Sequence, residues 1–294
     1  MVADADGFGN SWEVKIAIVA HPYKADASRA MRKVHGSLLR RGMEVVMDPA
    51  TAKLIGAEGV GEFWKGADFV ISLGGDGTLL ETVHRMGARD LVVAGVNIGN
   101  LGFLTACTDE NVEELLDMLV NGTLTIRERT MLRVKMIERG GKEHEFLALN
   151  EATLMRGETG RLISLEARVN GELLNKYRAD GLLVATPTGS TAYSLAAGGP
   201  LIGPETAAFI INPICPHSLS NRALVVSDDE KIELLPTGSN DQPVLFSVDG
   251  RDILQVEQGS VVHIEKHPQK LKIARLAGHS FYETLRQKLN WNGG

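Results

Sequence analysis

The sequence predicts an α/β domain followed by a mostly antiparallel β domain of sandwich type, with one last helix returning to the first domain. Three observations predict it. β-rich runs alternate with helical patterns through the first third of the chain. From about Leu124 the pattern becomes strand-like segments divided by Asn-Gly and Gly-Gly turns. The helical period then returns at Phe281 to Leu289.

In the first third, Val14 to Ala20 is a short β-rich run ending at His21-Pro22, and Ser28 is placed to cap a helix through about Arg41. Met43 to Met47, Ala67 to Leu73 and Leu91 to Val96 are the next strands. Helical patterns cover Thr78 to Met86 and Asp109 to Val120, the latter with Thr108 as its cap and Asn121-Gly122 as its stop. Strands alternating with helices imply a Rossmann-like parallel sheet covered on both faces. The second part reads as strands at Met131 to Glu138, Leu162 to Val169, Leu182 to Thr186, Ala223 to Ser227, Lys231 to Leu235, Val244 to Val248, Ser260 to Ile264 and Leu271 to Leu276. Gly140-Gly141 and Asn170-Gly171 are hairpin signals. Residues 1–123 are therefore expected to form the α/β domain, with 277–294 packing back on it, and 124–276 the β-rich domain.

With 294 residues, 44% hydrophobic and 23% charged, the chain has the composition of an ordinary globular protein large enough to bury a core. No apolar run approaches the ~18 residues of a membrane span. The acidic, Gly-rich start, Met1 to Asn10, is unlike a secretory signal and is expected to be a disordered leader. A net charge of −6 argues against a nucleic-acid surface, which needs clustered Lys and Arg. The basic run from Arg29 to Arg41 reads as a solvated helix face. The two cysteines, Cys107 and Cys215, give no disulfide framework and no metal spacing, favour a reducing cytoplasm, and are expected to be small buried residues.

Chemistry concentrates first at Gly74-Gly75-Asp76-Gly77-Thr78, where an apolar strand runs into three glycines around one carboxylate. The glycines are expected to take positive φ and turn their N–H groups toward an anion, with Thr78 beside them, at the start of a helix whose partial charge suits phosphate. Beside phosphate, Asp76 would be repelled unless it holds a metal, accepts a hydrogen bond from a substrate hydroxyl or takes its proton. Gly74-Gly75-Asp76-Gly77 is also the composition of a simple tight turn.

Four further segments place small polar residues at strand ends: Asn97 to Thr105, Asn150-Glu151, Tyr177 to Ser194, and Asn212 to Leu219. Asn150-Glu151 forms a fork able to bond a diol or a purine edge, and equally a pair tying a strand to a turn. In the third segment a strand ends in the hydroxyl-rich turn Thr186 to Thr191 before a small-residue helix, Thr191 to Ala197. Asn212 to Leu219 reads as a Pro-punctuated loop, with His217 as readily structural as catalytic. No Gly-x4-Gly-Lys-Ser/Thr loop, Gly-x-Ser-x-Gly elbow or His-Glu-x-x-His motif is present, and no Gly-x-Gly-x-x-Gly follows the first strand.

Together these segments resemble NAD kinases, bacterial in type and using ATP or polyphosphate, over nearly the whole chain from Lys15 to Trp291. The motifs are Gly74 to Thr78, Asn150-Glu151, Asp180-Gly181 with Thr186 to Tyr193, and Pro216 to Leu219. The glycine element alone also resembles diacylglycerol and sphingosine kinases and 6-phosphofructokinases. The four elements in order are specific. The resemblance implies transfer of the γ-phosphoryl group of ATP to the adenosine 2′-hydroxyl of NAD, giving NADP, with Mg²⁺ or another divalent metal. It implies Asp76 as general base or hydroxyl-positioning residue, and Gly77 and Phe103 in the NAD pocket. Asn150 and Glu151 match the pair on the nicotinamide-side ribose, and Asp180 an aspartate near the nicotinamide amide. Thr191, Ala192 and Tyr193, with Ser194 beside them, match the adenine contacts. Arg178 matches a basic position linked to choice of NAD over NADH. Tyr193 in the family can come from a neighbouring subunit, which implies a homodimer or homotetramer. A membrane-associated lipid kinase would have no use for Asn150-Glu151. A non-catalytic nucleotide sensor would have none for Asp76.

Overall fold

The computed structural model describes residues 14–291, apart from Asn100, Thr159, residues 239–242, Ala277 and His279. The leader expected at Met1 to Asn10 lies outside the described residues. The chain runs β1 (Lys15–Ala20), α1 (Ala27–Arg40), β2 (Glu44–Met47), α2 (Pro49–Lys53), β3 (Phe69–Gly74), α3 (Asp76–Met86), β4 (Val92–Asn97), β5 (Cys107–Thr108), α4 (Val112–Val120) and β6 (Thr125–Arg129). There follow β7 (Leu132–Ile137), β8 (Glu143–Ala148), β9 (Glu151–Arg156), β10 (Ile163–Val169), β11 (Glu172–Ala179), β12 (Gly181–Ala185), α5 (Tyr193–Ala196), β13 (Ala208–Ile214), β14 (Leu224–Ser227), β15 (Ile232–Pro236), β16 (Val244–Val248), β17 (Arg251–Val256) and β18 (Val261–Lys266). β19 (Leu271–Arg275) and α6 (Phe281–Lys288) complete it.

The chain divides into two units, residues 1–128 with 271–294, and residues 129–270. The boundaries differ from those expected at 123 and 276 because β6 and β19 both join the sheet of the first unit. β19, which reads locally as the last strand of the β domain, pairs parallel to β4, with Ile273 opposite Val93.

In the first unit the sheet order is β2-β1-β3-β4-β19-β6, with β5 on β4. β3 is buried at every position, the mark of a parallel strand covered on both faces. Helix α1 buries Ala27, Ala30, Met31, Val34 and Leu38, a stripe at helical spacing that packs with Ile16, Ile18, Ile71 and Leu73. Ser28 lies inside this helix and does not cap it; the N-cap is Asp26, at φ 65. Thr108 likewise precedes α4 by a turn, and Asn111 is its N-cap. Helix α2 starts on the side chain of Asp48, which accepts the Thr51 N–H at 3.0 Å, with Pro49 at the first helical position.

The second unit holds two antiparallel sheets, β11-β10-β15-β18-β7-β8 and β14-β13-β12-β9-β16-β17. Strands such as β7 and β15 alternate between buried and more exposed positions. Leu132, Val134, Leu165, Leu234 and Val262 from the first sheet meet Leu154, Phe209, Ile211 and Phe246 from the second in one core. β12 and β13 are buried throughout, because Leu183, Ala185, Ile210 and Ile214 on their other face pack with Tyr193, Ala197 and Ile202. Asn212 to Ile214, read as loop from its proline, is therefore the end of β13. Pro213 fits because β14 stops at the pair Ile211–Leu224, which leaves Pro213 with β12 as its partner. The helix expected over Thr191 to Ala197 is broken: a 3₁₀ turn covers Gly189–Thr191, Ala192 leaves the helical conformation at φ −101 and ψ −131, and α5 is a single turn. Cys107 is buried, and burial pushes its thiol up to about 12. Cys215, expected to be buried, is instead exposed at φ 45 where β13 ends and the chain turns.

Candidate active site

β1, β3 and β4 run parallel, with Ala20 opposite Leu73 and Gly74 opposite Asn97, so their carboxyl ends share one edge of the sheet. Ligands of such sheets gather there. The glycine turn sits at this edge: Gly75 is the N-cap of α3 and Asp76 its first residue, so the positive end of the helix faces the same side. Thr78 Oγ1 accepts the Gly75 N–H at 3.3 Å and tightens the turn. None of Gly74, Gly75 and Gly77 has the positive φ expected from the sequence. Space is what matters instead. A Cβ on Gly74 would overlap the Thr78 hydroxyl, while Gly77 borders open space.

The half-buried Asp76 carboxylate accepts the Phe103 N–H on Oδ2 at 2.9 Å and the Leu104 N–H on Oδ1 at 3.0 Å. A Cβ on Gly102 would fall inside that carboxylate, so the close approach requires glycine. Arg275 holds the loop from β19, donating to the Thr105 carbonyl at 2.7 Å and to that of Phe103. The Phe103 ring packs 6.3 Å from that of Phe281 on α6. Each carboxylate oxygen has spare acceptor capacity, so Asp76 is fixed in place and still open to another donor. Lys24 completes the turn, donating from Nζ to the Gly74 carbonyl and to Asn97 Oδ1, both at 3.1 Å.

In the second unit the organising residue is Asp249, which sequence reasoning missed. It and Gly250, at φ 48 and 70, form the two-residue turn between β16 and β17. Its carboxylate collects three successive backbone N–H groups: Leu149 at 2.8 Å, Asn150 at 2.8 Å and Glu151 at 2.9 Å. Its own N–H donates to the Glu151 carbonyl at 2.9 Å. From the other side Thr186 donates its N–H to the Asn150 carbonyl at 2.8 Å and its hydroxyl to that of Leu149 at 2.5 Å. A Cβ on Gly189 would overlap the Asn150 carbonyl. The fork is thus built on backbone held from two directions.

Asn150 and Glu151 are 8% and 6% exposed. Glu151 Oε2 and Thr188 Oγ1 are buried with no hydrogen-bond partner among the described residues. Burial, then the charge of Asp249, pushes the Glu151 carboxyl up to about 8, against the backbone N–H of Tyr193, which favours the anion. At pH 7 Glu151 is therefore mostly protonated and can donate as well as accept. Two unsatisfied polar atoms in one buried neighbourhood suit a polyhydroxy ligand.

The remaining candidates surround this fork unevenly. Tyr193, hydrogen-bonded to Glu151 through its N–H, points its hydroxyl at Met155 Sδ, 3.6 Å away. Ser194 is fully buried, its carbonyl accepting from Asn212 Nδ2 at 3.0 Å, which makes it a packing residue of the turn. Thr191 donates to the Thr188 carbonyl at 3.1 Å. Asp180 pairs with Arg156, Nε to Oδ1 at 2.6 Å. Arg178 is exposed, and its carbonyl accepts the N–H of exposed His217 at 2.8 Å. Arg156 is a second residue the sequence hid, since only pairing of β9 with β12 brings it to Asp180. For Asp249 the signal was present: Asp-Gly between two apolar strands is a hairpin turn.

Comparison with known proteins follows the same two parts. The ATP-NAD kinase N-terminal domain matches residues 16–124, and the ATP-NAD kinase C-terminal domain matches 149–276. The NAD kinase of Symbiobacterium thermophilum is 38% identical over 280 residues, 94% of this chain and 99% of that protein. That of Porphyromonas gingivalis is 45% identical over 224 residues, 76% of each. Among solved structures, yeast NADH kinase complexed with NADH is similar with a TM-score of 0.89 and 26% identity, covering 95% of this chain and 88% of that one. An NAD kinase from Archaeoglobus fulgidus in complex with ATP gives 0.75 and 26%, covering 95% and 100%. With both family domains matched in order and relatives aligned nearly end to end, the chain belongs to the NAD kinase family.

Proposed function

We propose that this chain phosphorylates NAD to NADP with ATP as donor, and that Asp76 receives the proton of the adenosine 2′-hydroxyl. As the 2′-oxygen bonds to the terminal phosphorus, the bond to the ADP oxygen breaks and the hydroxyl proton passes to a free lone pair of Asp76. The observation that carries this role is the double backbone clamp on the Asp76 carboxylate at the glycine turn. A ribose hydroxyl is a poor nucleophile at neutral pH. It gains most from an acceptor that does not have to be found by rotation. Gly74, Gly75, Gly77 and Thr78 form the cradle for the transferred phosphate, and Phe103 lines the NAD pocket.

Asn150 and Glu151 hold ribose hydroxyls, supported by their burial and by the unpartnered Oε2. Asp180, oriented by Arg156, receives the nicotinamide amide. Thr191, Ala192, Tyr193 and Ser194 shape the adenine side, and exposed Arg178 favours NAD over NADH. A divalent cation, Mg²⁺ by preference, enters with the nucleotide. Asp76 is the acidic residue the glycine turn offers, and no group of three His, Cys, Asp or Glu side chains suited to a metal occurs among the described residues. The cation would neutralise phosphate charge, drawing its remaining ligands from phosphate and water. A cytoplasmic homodimer or homotetramer is the proposed setting. No helix among the described residues is long and apolar enough to cross a membrane.

Incubation of the protein with NAD, a divalent cation and either ATP or inorganic polyphosphate, followed by an enzymatic assay for NADP, tests the reading. NADP appears with ATP if it holds. Absence of NADP with both donors refutes it, and NADP with polyphosphate alone refutes the choice of donor. Light scattering reads the assembly.

A further inference from the structure

We propose that Lys24 is a further catalytic residue, its ammonium contacting the phosphoanhydride chain of the donor at the glycine turn. The inference rests on the phosphoryl-transfer reading but on different atoms. Lys24 follows the end of β1 and reaches across the carboxyl edge of the sheet to β3 and β4. Its half-buried ammonium is held by two neutral oxygens, the Gly74 carbonyl and Asn97 Oδ1, each at 3.1 Å. No ion pair joins it to a carboxylate among the described residues. A lysine ammonium has three donors, so one remains after these two bonds. A cation drawn partly out of water without a counter-charge is unfavourable.

Its placement sharpens the point. A Cβ built on Gly75 would lie 3.7 Å from Nζ, so the charge stands beside the N-cap of α3, where the unpaired N–H groups already create positive potential. Two positive features side by side repel each other in the free protein and both favour an anion. Oxygens of a phosphoanhydride chain satisfy the third N–H, the helix terminus and the missing counter-charge together. The chemistry is shared by ATP and inorganic polyphosphate.

The alternative is a strut that only ties β1 to β3 and β4. Three variants separate them. Lys24→Met removes charge and donors, Lys24→Gln keeps an amide donor without charge, and Lys24→Arg keeps the charge. Calorimetry with inorganic tripolyphosphate and with NAD gives the binding constants, and steady-state kinetics gives kcat and the KM for ATP. Lys24→Met and Lys24→Gln should weaken tripolyphosphate about tenfold to a hundredfold, as for loss of one charge-assisted contact. NAD affinity should stay within about twofold, and Lys24→Arg should recover most of the loss in kcat/KM for ATP. Unchanged tripolyphosphate binding in Lys24→Gln overturns the proposal, as does a matching loss of NAD binding. A wild-type protein that makes no NADP yet binds tripolyphosphate through Lys24 would refute the kinase reading and the catalytic role, and leave standing only the phosphate contact of Lys24.

Discussion

The glycine turn of the first unit and the Asn-Glu fork of the second use a carboxylate in opposite ways. Asp76 is half-exposed, with both oxygens clamped by backbone N–H groups. Glu151 is buried, with one oxygen unpartnered and a charge-suppressing neighbour in Asp249. A group that must take a proton gains from being ionised, oriented and reachable. A group that must recognise hydroxyls gains from a dry site in which only the right partner relieves an unsatisfied atom. On the proposed roles, the two regions divide the work into reactivity and recognition, and substitutions should respect that division.

The largest effect away from Asp76 itself should come from Gly102→Ala. The new methyl occupies the place of the Asp76 carboxylate. Displacement by about an ångström costs on the order of a hundredfold in kcat, with NAD affinity retained; wild-type turnover in this variant would break the link between clamp and chemistry. Asp249→Asn should act on the other side of the comparison. Its amide would point a donor at the Leu149, Asn150 or Glu151 N–H, costing about 1–3 kcal/mol in denaturant melts. The KM for NAD should rise while kcat holds. A fall in kcat with unchanged KM would place Asp249 with the chemistry instead.

A third effect is in stability against pH. Glu151 has its folded value raised to about 8, above the 4.5 of a free glutamate, so between those values the folded state holds a proton that the unfolded state has lost. Its contribution is full below pH 4.5, declines as pH rises toward 8 and is flat beyond, with a slope of up to about 1.4 kcal/mol per pH unit. Glu151→Gln should remove that slope from urea midpoints measured across the window. Asp249→Asn, by deleting a neighbouring charge, should move the upper end of the slope to lower pH. A wild type and Glu151→Gln with parallel profiles would contradict the buried, protonated assignment.

How far this division was legible in the sequence depends on the range of the interactions. The strand into Gly74, the helix after it and Asp76 at their junction are local, and the periodicity and composition show them. The reason for the glycines is space, not composition. Gly74 and Gly102 are fixed by Thr78 and Asp76 pressing on them, which only the folded loop reveals. Asn150-Glu151 stood out as polar residues in an apolar run, yet the group that orders them, Asp249, lies 98–99 residues away along the chain. Leu271 to Arg275 reads like its β-rich neighbours because a strand carries no local record of its partner; its parallel pairing with β4 decides its unit. Pro213 points to a loop until the end of β14 shows that its missing N–H is tolerated there.

The division itself is tested most directly by Asp76→Asn, assayed for NADP formation from NAD and ATP alongside calorimetric binding of NAD. The amide keeps the size of the side chain and loses its capacity to take a proton. Turnover should fall by about a hundredfold or more, with NAD affinity near that of the wild type. Wild-type turnover in Asp76→Asn, or a loss of NAD binding that accounts for the whole decrease, would contradict the assignment of reactivity to the glycine turn.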